Sequence, residues 1–342
     1  MKKFVNLKTI AFFILFVIPT GTFAQKQFKI VSLAPNWTNI TCALGAGNDL
    51  VGVTRYCIFP DSIPRLVTEG KLQIVAGFMD VDFDKVKELN PDIILTCTGV
   101  QANIRDKFIQ DGFKVIHMEE SNLEEVYSKI LELGKAIEKE SSASNLVKDI
   151  KTNLKIVSDR YKNEPKVSVY YEINYYYKCV PGKDSYITEL IRMVGGEPIF
   201  SDRKGIAPTI KWDEVVKANP DVILIPIWDH AGGPFFEGDS AGNGTTTPFE
   251  ISKRKGAQTI NAVKNGKVRY INSAKTKQAG PLIPVAVDLF GKTIHADGDM
   301  ELLKIDKVPE HMETTFSKLM YFLPFVINEE QILFAEHSLI QH

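Results

Sequence analysis

The sequence predicts an α/β protein made of two similar lobes, each a parallel sheet covered by helices, bridged by a single long rigid α-helix. An internal repeat and the alternation of strand-like with helical segments both favour this fold class. The length of 342 residues is sufficient for two hydrophobic cores.

The repeat consists of a helix end followed by a buried strand. The segment VKELNPDIIL at 86–95 recurs as VVKANPDVIL at 215–224. Proline disfavours helical geometry in the asparagine before it, and the β-branched run after the aspartate indicates a strand. A second pair, a glycine turn leading into a strand, starts at Gly112 and Gly266. An insertion around 231–250 accounts for its larger spacing.

The two lobes also begin alike. Strands are predicted at 28–33 and 166–171, and each is followed by a helix that ends at glycine, at Gly45 and at Gly195. Between the lobes, apolar spacing predicts a helix with Ser121 as N-cap and a second helix that starts after 141–144. About 20 helical residues span about 30 Å, which is enough for a stiff connection between lobes.

Residues 1–24 are predicted to be an export signal. A basic start is followed by an apolar stretch of about ten residues, and the small residues Thr22 and Ala24 suit a cleavage site. The stretch is short for a membrane core of about 30 Å, although an uncleaved anchor is the alternative. No cysteine follows the stretch closely, so we expect cleavage after Ala24 without lipid attachment. The predicted organisation is then 1–24 signal peptide, 25–140 N-terminal lobe, 141–163 inter-lobe helix, 164–296 C-terminal lobe and 297–342 C-terminal extension.

Composition excludes several classes of protein. With 41 basic and 42 acidic residues and no long basic run, nucleic acid is not expected as a partner. Hydrophobic residues at 44% exclude a disordered chain. The four cysteines would enter an oxidising compartment, where three full pairings remain open. Structural cysteines, buried or paired, and metal-ligating ones are both compatible with their spacing, which contains no CxxC: Cys42, Cys57, Cys97 and Cys179.

Aromatic residues follow several predicted strands, at the carboxyl ends where open parallel sheets bind ligands. Such a rim could hold a flat or bulky ligand by stacking and apolar contact, or could simply cap each core. The candidate ligand-binding residues are Trp37, Tyr56, Phe78, Tyr175, Tyr176, Tyr177, Trp228 and His230. His230 is also a candidate axial ligand for a metal in a macrocycle, since imidazole suits iron and cobalt; a solvent-facing histidine is the alternative. No catalytic residue is assigned, because no HExxH, GxSxG, GxxxxGK[ST] or GxGxxG motif occurs.

Several motifs resemble one class of bacterial periplasmic binding proteins, those serving ABC importers of vitamin B12, ferric siderophores and haem. The resemblance runs from about 28 to 295 and is nearest to the vitamin B12-binding members. It is carried by VSLAP at 31–35, LGA at 44–46, VGVTRY at 51–56, NPD at 90–92 and GKDS at 182–185. It implies Rossmann-like lobes of the helical-backbone metal-receptor type, a monomer with one ligand in its cleft, and neither catalysis nor an intrinsic cofactor.

The resemblance also implies partners. The expected ligand is a cobalt corrinoid such as cobalamin, with an iron chelate, either siderophore or haem, as the alternative. In this class acidic residues on each lobe meet the importer's permease; the matching positions are Asp84, Asp213 and Glu214. Helix N-termini favour acidic residues in any case, so capping is the competing interpretation. Ala207, the insertion at 231–250 and the tail depart from the class. An exported enzyme on this scaffold and a partner-binding module that uses the tail are the remaining alternatives.

Overall fold

The computed structural model describes residues 26–77, 79–173, 178–230, 233–236 and 248–296. For 227–230, 233–236 and 248–250 only the backbone is described. The predicted signal peptide, the tail and much of the insertion lie outside this description, so the predictions for them stay predictions.

The first sheet contains five parallel strands in the order β3-β2-β1-β4-β5. The strands are β1 (Ile30–Ser32), β2 (Leu50–Thr54), β3 (Gln73–Ala76), β4 (Ile93–Cys97) and β5 (Val115–Met118). Helices connect them, as the sequence predicts for parallel strands. They are α1 (Pro35–Ala43), α2 (Ser62–Thr68), α3 (Phe83–Glu88) and α4 (Ala102–Gln110).

The second sheet repeats this plan. Its parallel strands run in the order β10-β8-β6-β7, and β9 pairs antiparallel with β8. The strands are β6 (Val167–Tyr171), β7 (Gly196–Pro198), β8 (Val222–His230), β9 (Gly233–Phe236) and β10 (Val268–Asn272). The helices are α7 (Tyr186–Met193), α8 (Trp212–Ala218), α9 (Pro248–Lys253), α10 (Asn261–Lys264), α11 (Ser273–Thr276) and α12 (Ile283–Ile294). The two-lobed α/β fold class is therefore confirmed.

The repeated Asn-Pro-Asp motif has the same structural role in both lobes. Asn90 and Asn219 adopt left-handed backbone conformations with φ of 46° and 50°, which asparagine tolerates better than most residues. A carboxylate oxygen of Asp92 accepts the backbone N–H of Lys29 at 2.8 Å. In the second lobe, Asp221 accepts the Ser168 hydroxyl at 2.6 Å. Each copy therefore ends a helix and fixes the next strand to its neighbour.

Two helices occupy the chain between the sheets, α5 (Leu123–Ala136) and α6 (Glu140–Tyr161). The N-cap of α5 is Asn122, whose side chain accepts from Glu125 N at 2.8 Å, so the prediction of Ser121 is wrong by one residue. Residues 141–144 lie inside α6 rather than before it, because serine at exposed positions of a first turn is compatible with helix. The helix packs on both α5 and α12. Its role as a stiff bridge stays a prediction.

One apolar cluster extends through both lobes. It contains Leu95 of β4, Leu224 of β8 and Phe290 of α12, none of them more than 1% exposed. Polar contacts also join the lobes, since Tyr186 N donates to Glu120 O at 3.3 Å and Leu123 N donates to a Glu189 carboxylate at 3.3 Å. No disulfide joins any two of the four cysteines, all of which are described. Within the described ranges no helix combines the length and apolar character needed to cross a bilayer.

Candidate ligand-binding cleft

The loops at the carboxyl edge of the first sheet reach the second lobe. Glu120 follows β5 at this edge, and its backbone carbonyl accepts the N–H of Tyr186, the first residue of α7. In parallel sheets this edge is where ligands bind, because strand ends leave loops that converge there. The junction places the first sheet's carboxyl edge against the neighbouring lobe, as a cleft between the lobes requires.

Trp37 is a core residue rather than a cleft residue. Its side chain is 0% exposed, and its indole N–H donates to the backbone carbonyl of Thr96 at 2.8 Å. The ring belongs to the apolar cluster that extends through both lobes. It offers no surface to a ligand, so its predicted place on the rim is corrected. The sequence could have indicated this, because proline is favoured at the first position of a helix and Pro35 therefore places Trp37 inside α1 rather than in a loop.

Tyr56 lies where the sequence places it, just beyond the carboxyl end of β2. Its side chain is half-buried. The guanidinium carbon of Arg55 lies 5.2 Å from the centre of the Tyr56 ring, within the range of a cation–π contact. Its role as a ligand contact remains a prediction, now with a defined neighbour.

Trp228 and His230 belong to a strand rather than to a loop. The sequence places them after β8, but β8 continues to His230 because β9 supplies an antiparallel partner, with Trp228 opposite Phe235 and His230 opposite Gly233. Their side chains lie outside the described part of the structure. The other aromatic candidates lie outside it entirely: Phe78, Tyr175, Tyr176 and Tyr177.

A buried ion pair lies at the carboxyl edge of the second sheet. Glu172 directly follows β6, is 0% exposed, and accepts two hydrogen bonds from the Arg254 guanidinium at 2.6 and 2.9 Å. The Tyr170 hydroxyl donates to the same carboxylate at 2.8 Å, and Lys178 Nζ lies 3.5 Å away. Burial by itself raises the pKa of Glu172, but the hydrogen bonds and charge of Arg254 outweigh it, so the net pKa is lowered.

The carboxyl edge of the first sheet also holds a buried carboxyl group, beyond the end of β5. Glu120 is 8% exposed, and one of its oxygens accepts the side-chain amide of Asn36 at 2.8 Å. Burial, with a smaller contribution from the charge of Glu125, raises the pKa of Glu120 to about 8. The two residues that donate these hydrogen bonds to Glu120, Asn36 through its side chain and Tyr186 through its backbone, each have another buried polar atom without a hydrogen-bond partner in the described structure: Asn36 Oδ1 and the Tyr186 hydroxyl.

The acidic candidates for permease docking divide into two kinds. Asp84 and Asp213 are each the second residue of their helix, α3 and α8, and both are exposed. Neighbours do the capping: Asp82 accepts from Lys85 N at 3.0 Å, and Glu214 accepts from Lys211 N at 3.0 Å. Glu214 also pairs with Arg203. In this structure Glu214 is a capping residue, whereas Asp84 and Asp213 present equivalent exposed carboxylates.

One hydroxyl–imidazole–carboxylate chain lies at the end of β4 and β5. The distance from Thr96 Oγ1 to His117 Nδ1 is 2.8 Å, and the distance from His117 Nε2 to Glu119 Oε1 is 3.0 Å. Hydrolases use such chains to activate a nucleophile. Here Thr96 is 0% exposed, so its hydroxyl has no access to a substrate. Among the described residues no group of three or more His, Cys, Asp or Glu side chains could hold a metal ion.

The carboxyl edges of the two sheets also hold charged residues that the sequence analysis did not predict to be part of the site. Glu172 and Glu120 could have been predicted from the sequence, because each is an acidic residue within two positions of the end of a buried strand. Arg254 could not, since it reaches Glu172 from 82 positions away. Arg55 and Asp80, which form an ion pair at 2.8 Å, were likewise missed.

Comparison with known proteins gives relatives that span most of this chain. An uncharacterized ABC transporter substrate-binding lipoprotein of Bacillus subtilis (strain 168) is 28% identical over 287 residues, covering 81% of this chain and 82% of the relative. A vitamin B12-binding protein of Vibrio vulnificus (strain YJ016) is 24% identical over 261 residues, covering 76% and 87%.

Solved structures share the fold. The periplasmic vitamin B12 binding protein of Vibrio cholerae superposes with a TM-score of 0.61 at 22% identity, over 78% of this chain and 96% of that one. A periplasmic haem-binding protein of Pseudomonas aeruginosa gives 0.62 at 17% identity, over 79% and 93%. The family described as periplasmic binding protein matches residues 30–274, which include both sheets. Because the family model matches most of the chain and its matched range includes both parallel sheets, this chain belongs to the periplasmic binding protein family.

Proposed function

We propose that this protein is the solute receptor of an ABC importer and binds a metal-chelate nutrient, a cobalamin or another corrinoid, between its lobes. The observation that carries the proposal is the similarity to a vitamin B12-binding protein over 261 residues, which cover 76% of this chain. Tyr56 at the carboxyl edge supports it, since a half-buried aromatic ring suits a flat hydrophobic ligand. The receptor acts as a monomer, holds no intrinsic cofactor and catalyses no reaction; the cobalt corrinoid or iron chelate is its cargo.

The test is a binding measurement on the protein purified from the periplasm. Cyanocobalamin should raise the melting temperature in a concentration-dependent manner, because a ligand that binds only the folded state stabilises it by mass action. A dissociation constant near micromolar corresponds to about 8 kcal/mol and is measurable by calorimetry. Haemin and a ferric hydroxamate serve as competing probes. Absence of binding by cyanocobalamin, with binding by one of the others, would replace the corrinoid with that ligand.

Haem is the second candidate, favoured by the shared fold of a haem-binding structure and by His230 as an axial ligand. Haemin bound through His230 should give a shifted Soret band that is lost in His230→Ala. His117→Ala is the matched control, because that imidazole is hydrogen-bonded at the end of β5. A Soret band unchanged by His230→Ala removes His230 from the site.

Docking on the permease is assigned to Asp84 and Asp213. Both are exposed at the second position of equivalent helices, one in each lobe, as docking on a two-fold transporter would require. Asp84→Asn with Asp213→Asn should abolish uptake in cells while leaving ligand affinity unchanged. Asp149→Asn, an exposed acid on α6, is the control. Wild-type uptake by the double variant would contradict the assignment.

Export to the periplasm follows from the proposed signal peptide, with cleavage after Ala24 and no lipid attachment. Mass spectrometry of the protein from the periplasm should give an N-terminus at Gln25. A mass that includes residues 1–24, or one with added acyl chains, would contradict this part of the proposal.

A further inference from the structure

The turn that follows β3 is closed by its own backbone. Ala76 forms an antiparallel bridge with Val81, and Gly77 N donates to Asp80 O at 3.0 Å. Asp82 N then returns to Val75 O at 3.0 Å. This turn lies at the carboxyl edge of the first sheet, next to the end of β2.

Arg55, the residue after β2, ties this turn to the neighbouring strand. Its backbone N–H donates to Ala76 O at 2.9 Å, and its guanidinium Nη1 donates to Asp80 Oδ2 at 2.8 Å. Gly77 lies beneath the pair. A Cβ at that position would overlap both the Asp80 carboxylate and the Arg55 guanidinium, so the ion pair in this geometry requires glycine there.

The same guanidinium contacts Tyr56. Its carbon lies 5.2 Å from the ring centre, so one cation holds both the turn and the aromatic ring. The Arg55 and Asp80 side chains are 24% and 51% exposed. An ion pair with that exposure adds only about 0–1 kcal/mol to global stability. The fold therefore gains little stability from the pair, and the Tyr56 ring is a further group that the same guanidinium contacts.

We propose that the Arg55–Asp80 pair, lying over Gly77, is a positioning device that fixes the Tyr56 ring at the carboxyl edge for the bound ligand. The proposal rests on the proposed ligand-binding function. Arg55 and Asp80 act through Tyr56: the protein, rather than the ligand, orders the ring, and preorganised groups bind more tightly because less freedom is lost on binding.

The test compares cyanocobalamin affinity in Arg55→Gln, Asp80→Asn and the double variant. Each single change should weaken binding about three- to ten-fold, the range expected when the ligand must order one side chain itself. The double variant should bind no more weakly than either single one. In a Tyr56→Ala background, Asp80→Asn should cost no further affinity, because the ring that it positions is gone. The control is Asp159→Asn, which removes the exposed Lys155–Asp159 pair on α6 and should change nothing.

Two results would overturn the proposal. Wild-type affinity in Asp80→Asn would show that the pair positions nothing, and loss confined to Arg55→Gln would make Arg55 a direct ligand contact instead. A second measurement needs no ligand: hydrogen exchange at the amides of Arg55 and Gly77 should be faster in both single variants than in wild type and in Asp159→Asn. If the wild type binds no cyanocobalamin, the proposed corrinoid ligand fails, and unchanged exchange would separately overturn the positioning role.

Discussion

The two lobes place a buried glutamate near the end of a strand at the carboxyl edge, and they neutralise it in opposite ways. Glu172 in the second lobe meets the Arg254 guanidinium, and its pKa is lowered despite burial. Glu120 in the first lobe meets the neutral amide of Asn36, and burial raises its pKa to about 8. Similar burial thus yields an ionised carboxylate in one lobe and a protonated carboxyl at neutral pH in the other.

The difference shows that the charge state depends on a partner brought in by tertiary structure. Burial of an unpaired carboxylate is costly, and the group avoids that cost either by pairing with a cation or by keeping its proton. Arg254 follows α9, on the far side of the insertion from Glu172, and its guanidinium also lies 4.7 Å from the Trp212 ring. The second lobe therefore has a cation anchored by its own packing. The first lobe uses a proton instead.

Removing the cation should have the largest effect on stability. Arg254→Met leaves Glu172 buried and without its bidentate partner, so the free energy of unfolding at pH 7 should fall by about 3–5 kcal/mol. Urea denaturation, followed by circular dichroism, measures the change.

The double variant Glu172→Gln with Arg254→Met provides the control, because it removes the buried charge together with its partner. It should recover at least half of the loss. If Arg254→Met unfolds no more easily than wild type, Glu172 is not held as a buried anion and the comparison between the lobes fails.

The proton on Glu120 should make stability depend on pH. The folded protein keeps this proton up to a pKa of about 8, whereas the unfolded chain releases it near the ordinary value of 4.5. The stabilisation from the proton on Glu120 should therefore be complete below pH 4.5. It should be lost as the pH rises from 4.5 to about 8, by up to about 1.4 kcal/mol of unfolding free energy per pH unit.

Glu120→Gln removes the titrating group and keeps an oxygen that can accept the Asn36 amide. The variant should be more stable than wild type by about 3 kcal/mol at pH 7 and nearly equal to it at pH 4.5. Urea midpoints measured across this range check the prediction. Equal midpoints at pH 7 would mean that Glu120 ionises normally in the folded state.

The fold was predictable because local sequence signals agree with it. The Asn-Pro-Asp motif marks both helix ends through residues that act locally, at Asn90 and Asn219. The α/β alternation and the two helices between the sheets follow from periodicity. The caps were less predictable: Ser121 and Asn122 are both good N-caps, and only the backbone geometry selects Asn122.

The candidate cleft was less predictable because its side-chain contacts join residues that are distant in the sequence. The sequence selects Tyr56 correctly as a residue that follows a strand, but it misplaces Trp37, whose indole N–H is satisfied by Thr96 across the core. It also misses the continuation of β8 to His230, which depends on pairing with β9. The pairing of Arg254 with Glu172 cannot be predicted from the sequence, because the two residues are 82 positions apart and belong to no common helical or strand repeat.

The smallest expected effect comes from two buried tyrosines, one whose hydroxyl has a hydrogen-bond partner and one whose hydroxyl has none among the described residues. The Tyr170 hydroxyl donates to Glu172 at 2.8 Å, so Tyr170→Phe should lower the free energy of unfolding by about 1.5 kcal/mol. The buried Tyr186 hydroxyl has no partner among the described residues, so Tyr186→Phe should be neutral or raise stability by up to about 1 kcal/mol. Both changes remove one oxygen from a fully buried ring, so the two variants lose the same side-chain volume and their difference in stability reports the hydrogen bond. Paired urea denaturation curves at pH 7 measure the difference, and a loss of equal size in both variants would show that the hydrogen bond from Tyr170 to Glu172 adds nothing to stability.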